Sequence, residues 1–107
     1  MAKGTMAKRA DISKRTKDIV FERDGGKCII CGKPGMPNSH YIRRSQGGLG
    51  IEENVATMCP TCHYIYDHGH GTDREFVTEL FADHMRKMYP DWDDMSLVYD
   101  RWANFPF

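Results

Sequence analysis

The spacing of apolar residues predicts helices near both ends of the chain. One helix is predicted over 14–23, where Ser13 can cap the first turn and two glycines follow the last. A longer helix is predicted to begin at Thr72-Asp-Arg-Glu75, a capping-box pattern that is followed by apolar residues at helical spacing. Because similar spacing continues beyond the next proline, C-terminal helices are expected over 72–102.

The middle of the chain has shorter apolar runs. They predict strands over 39–42 and 55–58, separated by a glycine-rich loop over 43–53. A long loop inside a small domain is often functional. A third helix is expected to begin at Pro60, since proline suits a first helical turn, and to stop at Gly69.

Together these elements predict one small α+β domain over 11–107, preceded by a disordered leader at 1–10. A chain of 107 residues has a marginal core unless a metal or disulfides support it. The sequence has no apolar stretch typical of a signal peptide or a membrane helix. A cytoplasmic, reducing location is therefore expected, where cysteines are more often metal ligands than disulfides.

The four cysteines form two Cys-x-x-Cys pairs, Cys28 with Cys31 and Cys59 with Cys62. A two-residue gap lets both thiolates of a pair reach one zinc ion, which favours four ligands in a tetrahedron. The pairs predict a structural zinc whose binding energy supports folding. Two disulfides would need an oxidising compartment, and a redox-active pair would need a thioredoxin-like context that is absent. An iron–sulfur cluster is also compatible with the spacing.

Charge is distributed unevenly along the chain, although its net value is zero. Residues 1–50 contain eleven Lys/Arg and four Asp/Glu, and residues 51–107 contain four and eleven. The basic half could face a polyanion such as nucleic acid, or both halves could be ordinary solvated surface.

Three polar residues between and beside the cysteine pairs suggest a chemical site. His40 is predicted on a strand, Asn54 leads the return strand, and His63 lies on the following helix. This layout could hold a divalent metal beside a general base. Imidazole is the natural base at neutral pH, and a divalent cation can neutralise phosphate charge.

The stretch 28–69 resembles the HNH endonuclease family, in particular its short phage-type members with two zinc knuckles. The resemblance rests on His40, Arg43-Arg44-Ser45-Gln46-Gly47-Gly48, Glu53-Asn54-Val55 and Cys59-x-x-Cys62-His63. It implies a ββα-metal (His-Me) finger, in which a β-hairpin and a helix surround one metal. The expected finger core is therefore 28–69, flanked by N- and C-terminal helices.

The resemblance also implies roles for individual residues. His40 would be the general base that activates water for attack on phosphorus, and Asn54 would organise the hairpin loop and orient that base. His63 would bind a catalytic divalent cation, which could be magnesium, manganese, nickel or zinc. That cation would polarise the scissile phosphate. Members of the family leave 5′-phosphate and 3′-hydroxyl ends.

The residue before the base departs from the family pattern. It is usually Asp, His or Glu and binds the metal, whereas this chain has Ser39, a poor ligand. Asp67 lies four residues after His63, on the same face of the predicted helix. The expected ligands of the catalytic cation are therefore His63 and Asp67, with Ser39 binding directly or through water. Asp67 could instead simply end the helix.

Arg43 and Arg44 follow the candidate base closely and are interpreted as DNA phosphate contacts. Lys14, Arg15 and Lys17 could extend this basic surface, but a solvated helix face is the simpler interpretation.

The sequence therefore predicts a DNA endonuclease with low sequence specificity, and a phage or prophage context is implied by resemblance only. One alternative is a zinc-stabilised nucleic-acid-binding module without catalysis, which the serine at position 39 favours. Another is an interaction protein whose acidic C-terminal helices bind a partner.

Overall fold

The computed structural model describes residues 5–99 of the chain, with side chains from residue 8 onward. Helices lie at both ends of a central hairpin. In chain order the elements are α1 (Thr5–Ala10), α2 (Lys14–Arg23), β1 (Met36–His40), β2 (Val55–Met58), α3 (Pro60–His68) and α4 (Gly71–Met88). Short 3₁₀ turns occupy Arg44–Gln46, Glu52–Asn54 and Asp94–Leu97. This architecture confirms the predicted α+β class.

Strands β1 and β2 pair antiparallel, with His40 opposite Val55 and Ser39 opposite Ala56. The predicted bounds of β2 are confirmed, but the prediction of 39–42 for the first strand is wrong, because β1 spans Met36–His40. The strand ends early because the backbone N–H of Ile42 donates to the side chain of Asn54 rather than to the neighbouring strand.

The helices on either side of the hairpin follow the sequence closely. Helix α2 has its predicted bounds, and the hydroxyl of Ser13 accepts a hydrogen bond from the Thr16 N–H at 3.1 Å. Helix α3 begins at Pro60 and ends one residue before Gly69, as expected. Local signals were sufficient here, since capping residues and proline act within one turn.

The expected disordered leader is wrong for residues 5–10, which form helix α1. Ala10 is 1% exposed, and its neighbour Arg9 accepts a hydrogen bond at its carbonyl from Gly50 N–H. Tertiary contacts with a distant loop hold this short helix, and no periodic pattern within six residues could announce them. Residues 1–4 lie outside the described part of the chain.

The C-terminal region differs from the predicted pair of helices. Helix α4 begins at Gly71 without a side-chain cap, so the Thr72–Glu75 capping box does not start it. Instead of a final helix over 91–102, a 3₁₀ turn is followed by extended chain. Leu97 O accepts from Leu49 N–H, and Tyr99 N–H donates to Gly47 O. These bonds to the loop replace helical ones; residues 100–102 lie outside the described range.

The core lies between the hairpin and helices α3 and α4. The largest fully buried apolar side chains among the described residues are Phe81, Met58, Met85, Leu97, Val20 and Val55, of which the first three belong to this core. From the predicted apolar stripe of α4, Phe81 and Met85 are buried, whereas Phe76 is 61% exposed.

An ion network lies at the back of the sheet. Asp24, with a fully buried side chain, receives hydrogen bonds from Arg23, His84 and the backbone N–H of Thr57. Arg23 also donates to the carbonyls of Glu52 and Val55. Burial raises the pKa of Asp24, but these donors outweigh it and hold the pKa well below its usual range.

Among the described residues, no helix combines the length and the apolar character that a membrane span requires.

Candidate metal centre and catalytic cleft

The four cysteines converge into one four-cysteine cluster (Cys28, Cys31, Cys59 and Cys62). Their sulfur atoms all lie within 4.8 Å of one another, and the Sγ atoms of Cys31 and Cys59 are 3.5 Å apart. Zinc–sulfur bonds of about 2.3 Å in a tetrahedron place sulfurs roughly 3.8 Å apart. The cluster therefore fits a zinc ion, and none of the four cysteines forms a disulfide.

Backbone N–H groups point at two of the four sulfur atoms. The N–H of Ile30 points at Cys28 Sγ, and the N–H of Cys62 points at Cys59 Sγ, both at 3.4 Å. Burial opposes ionisation of Cys28, but backbone N–H groups around it prevail and lower its pKa to about 7. A backbone hydrogen bond lowers the pKa of Cys31, but burial and the neighbouring thiols outweigh it, and burial and the neighbouring thiols also raise the pKa of Cys62. Because zinc binds the thiolate form, an ion held by this cluster would displace the remaining thiol protons, and the four cysteines could hold a structural zinc.

Asn54 ties the two ends of the hairpin loop together. It is fully buried, and its Oδ1 accepts from Ile42 N–H at 2.8 Å. Its Nδ2 donates to the carbonyls of Leu49 at 2.8 Å and Ile42 at 3.2 Å. One side chain thus satisfies three backbone groups of the 41–53 connection, and an amide is needed because it both donates and accepts.

His40 is the last residue of β1, and only 9% of it is exposed. Its Nε2 lies 2.8 Å from the carbonyl oxygen of Ala10. Burial lowers the pKa of His40, although the Ala10 carbonyl and Asp67 oppose this, and the shift favours the neutral imidazole. Within residues 5–99, Nδ1 of His40 has no hydrogen-bond partner, and this atom is not fully buried.

Ser39, His63 and Asp67 form a hydrogen-bonded chain beside His40. Ser39 Oγ lies 2.5 Å from His63 Nδ1, and His63 Nε2 lies 2.9 Å from Asp67 Oδ2. The i,i+4 spacing puts both α3 residues on one face. Ser39 is fully buried, whereas the side chains of His63 and Asp67 are each 33% exposed. Two of the three predicted ligands, Ser39 and Asp67, therefore each contact the third, His63.

An open cleft of about 470 Å³ brings the candidate residues together. It is bounded by the end of β1, the first turn of the loop and the outer face of α3. The lining residues are Asn38, His40, Arg43, Arg44, Ser45, His63, Asp67 and His68. The cleft thus joins a neutral imidazole, an imidazole–carboxylate pair and two guanidinium groups.

The two arginines also hold the protein together. Arg43 Nη2 donates to the carbonyls of Tyr66 and Asp67, at the carboxyl end of α3, while its Nε is buried without a partner. Arg44 donates to the Ala10 carbonyl and forms a 2.6 Å ion pair with Asp11. Their charges reach the cleft, but their geometry is determined by α1 and α3.

Sequence reasoning missed the contribution of α1 to the cleft. The Ala10 carbonyl contacts both His40 and Arg44, whereas the sequence predicts disorder over residues 1–10. Backbone carbonyls leave no residue-type signal, so only the glycine at position 50, which makes room for this segment, hinted at the contact.

No protein-family model and no curated protein matches this sequence. The fold is similar to a solved structure, that of the Type IV phosphorothioation-dependent restriction endonuclease ScoMcrA. The TM-score is 0.63 at 19% identity, and the match covers 85% of this chain but 20% of that chain. The similarity shows the fold alone, and this chain spans about a fifth of the length of that protein.

Proposed function

We propose that this chain is a metal-dependent HNH-type endonuclease that hydrolyses DNA phosphodiester bonds. The observation that carries the proposal is the placement of His40, His63 and Asp67 around one arginine-lined cleft. The candidate base His40 lies on β1, and the candidate metal ligands His63 and Asp67 lie on α3. The hairpin and the four-cysteine cluster hold this strand and this helix next to each other. The fold shared with part of a restriction endonuclease supports the same assignment.

His40 is the proposed general base. Its Nε2 is occupied by the Ala10 carbonyl, which leaves Nδ1 to take a proton from the attacking water. Asn54 keeps the loop after β1 in place and thereby orients the end of the strand. This division assigns proton transfer to one imidazole and loop geometry to one amide.

The residues that would hold the catalytic cation are His63 and Asp67, with the hydroxyl of Ser39 in contact with His63. When bound, a divalent cation would polarise the scissile phosphate and stabilise charge on the leaving oxygen. Imidazole and carboxylate donors suit such cations, and water and phosphate oxygens would complete the ligand set. Each ring nitrogen of His63 holds one partner, so ligation would exchange one of its present hydrogen bonds.

The DNA backbone would cross the cleft, with Arg44 placed to contact phosphate. Its side chain is 48% exposed, and its charge is oriented by Asp11. Such contacts position a duplex without reading base sequence, so low sequence specificity is proposed. Cleavage would leave a 5′-phosphate and a 3′-hydroxyl; a phage or prophage context remains an expectation from resemblance.

The test is nicking of supercoiled plasmid by the zinc-loaded protein in magnesium, manganese, nickel or excess EDTA. We expect cutting with an added divalent cation and a loss of about 10²-fold or more in His40→Ala, the range of general-base contributions. His70→Ala is the matched control, because this histidine is exposed and its side chain does not cap α4. Equal cutting by wild type and His40→Ala would reject His40 as the base.

A second candidate is a DNA-binding module without catalysis. It is favoured by the Ser39–His63 contact, because a hydroxyl replaces the usual charged ligand and occupies Nδ1. It predicts salt-dependent DNA binding that is unchanged in His40→Ala, with no cutting in any metal. Salt-dependent binding without cutting in any metal, measured on the same folded protein samples, would favour this module, and metal-dependent cutting would exclude it.

A further inference from the structure

We propose that Ala10 is a positioning residue, whose backbone carbonyl fixes the proton and the orientation of the His40 imidazole. The carbonyl oxygen lies 2.8 Å from His40 Nε2. A carbonyl can only accept a hydrogen bond, so the proton must be on Nε2. Because a neutral imidazole carries one N–H, the unprotonated nitrogen is Nδ1.

The carbonyl is available because Ala10 ends helix α1. The last carbonyls of a helix lack intrahelical partners and carry its partial negative charge. Ala10 O is approached by two donors, His40 Nε2–H and Arg44 Nη1–H, the latter at 3.0 Å. It therefore holds the ring and would stabilise positive charge once Nδ1 takes a proton.

The loop after β1 keeps this segment against His40. Arg44 forms an ion pair with Asp11, and Gly50 N–H donates to Arg9 O at 2.9 Å. A Cβ atom at position 50 would lie 2.1 Å from the Asp11 carbonyl oxygen and 2.8 Å from that of Ala10. Glycine at this position lets the segment approach closely enough for the carbonyl to reach the ring.

The consequence for catalysis rests on the proposed function, but the position of the proton does not. Among the described residues, the acceptor for His40 Nε2 comes from a helix that precedes the hairpin by 25 residues or more. The carbonyl end of α1 thus positions the His40 ring from outside the hairpin.

The experiment compares full-length, zinc-loaded wild type with Gly50→Ala by ¹⁵N NMR of the histidine rings. The His40 signal is assigned by its loss in His40→Ala. We expect a protected Nε2–H proton in wild type and its loss in Gly50→Ala, because the added methyl group displaces residues 10 and 11. The kcat for plasmid cutting should fall by about 10²-fold, with KM little changed, as expected for a misplaced base.

Ile51→Val, one position further along the loop, is the matched control and should keep both the signal and kcat. A proton on Nδ1 in wild type, or an unchanged Nε2–H signal and kcat in folded Gly50→Ala, would overturn the proposal. If wild type does not cut DNA, the proposed function fails, and the proton position alone decides this inference.

If Gly50→Ala does not fold, the Ala10–Asp11 amide can be replaced by an ester in the full chain, through ligation at Cys28. An ester carbonyl is a weaker acceptor of nearly the same shape. A weakened or lost Nε2–H signal is then expected, and an unchanged one would overturn the proposal.

Discussion

The four-cysteine cluster and the cleft are neighbours built on the same hairpin and helix, but they are assembled differently. The cluster takes four identical ligands from two short local motifs, and Cys62 and His63 are adjacent on α3. The cleft takes unlike groups from β1, α3 and the carbonyl end of α1. A local motif can define a metal site completely, whereas a catalytic arrangement depends on where distant segments dock.

The proposed function gives the two regions separate duties: the cluster maintains the fold, and the cleft carries the chemistry. Helix α3 links them, because its first turn contributes Cys62 and its next residues face the cleft.

The largest effect is expected from Cys59→Ser. Structural zinc contributes about 10 kcal/mol or more to the folding of small domains, comparable with the whole stability of such a domain. The variant should lose zinc and its helical signal together, as measured by metal analysis and circular dichroism. A folded, zinc-free Cys59→Ser protein would show that the cluster is dispensable for the fold.

The next largest effect is expected from Asp24→Ala, behind the sheet. The change leaves the buried Arg23 guanidinium without its carboxylate and removes the acceptor of Thr57 N–H. Breaking a buried ion pair in this way costs about 3–5 kcal/mol, measurable by urea unfolding. Asp83→Ala is the matched control, because Asp83 is exposed and pairs with Arg86 on α4, so its loss should change the free energy of unfolding little.

The lowered pKa of Asp24 predicts that the stability of the protein decreases in acid. Its pKa is lowered in the folded protein, so its contribution is complete above the ordinary Asp pKa of about 3.9 and is lost as pH falls below it. Wild type should therefore lose more stability than Asp24→Asn between about pH 5 and pH 2. Comparing the two proteins cancels the acid release of zinc that both undergo. Parallel profiles of stability against pH for the two proteins would show that Asp24 does not cause the acid sensitivity.

A smaller effect on stability, with a larger one on activity, is expected from Asn54→Asp. A carboxylate cannot donate to the carbonyls of Ile42 and Leu49, which would be left unpaired at a cost of about 1–3 kcal/mol. Cutting should fall further than unfolding explains, because the loop orients His40. Gln46→Glu, an exposed amide-to-acid change in the same loop, is the control. Loss of stability without loss of cutting would restrict Asn54 to the scaffold.

The sequence predicts features that are specified locally better than features that depend on distant segments. Signals that act within a few residues predict the start of α2 after Ser13, the start of α3 at Pro60, and the four-cysteine cluster from the spacing within each cysteine pair. By contrast, α1 and the segment after Asp94 are held by backbone hydrogen bonds to the 47–50 loop. Such bonds carry no residue code, so the final helix and the disordered leader were wrongly predicted.

For the cleft, the sequence supplied the residue types but not their partners. Ser39 contacts His63, and His63 pairs with Asp67. Predicting both contacts needs the register of the hairpin and the orientation of the α3 face at the same time. The roles assigned to these residues remain predictions.

If fold and chemistry depend on separate residues of α3, His63→Ala should separate them. Zinc content, unfolding and plasmid cutting should be measured on the same purified sample. We expect a zinc-loaded, fully folded protein that no longer cuts DNA, because the four cysteines alone would hold the structural ion. Loss of zinc or of the fold in His63→Ala, or undiminished cutting, would contradict it.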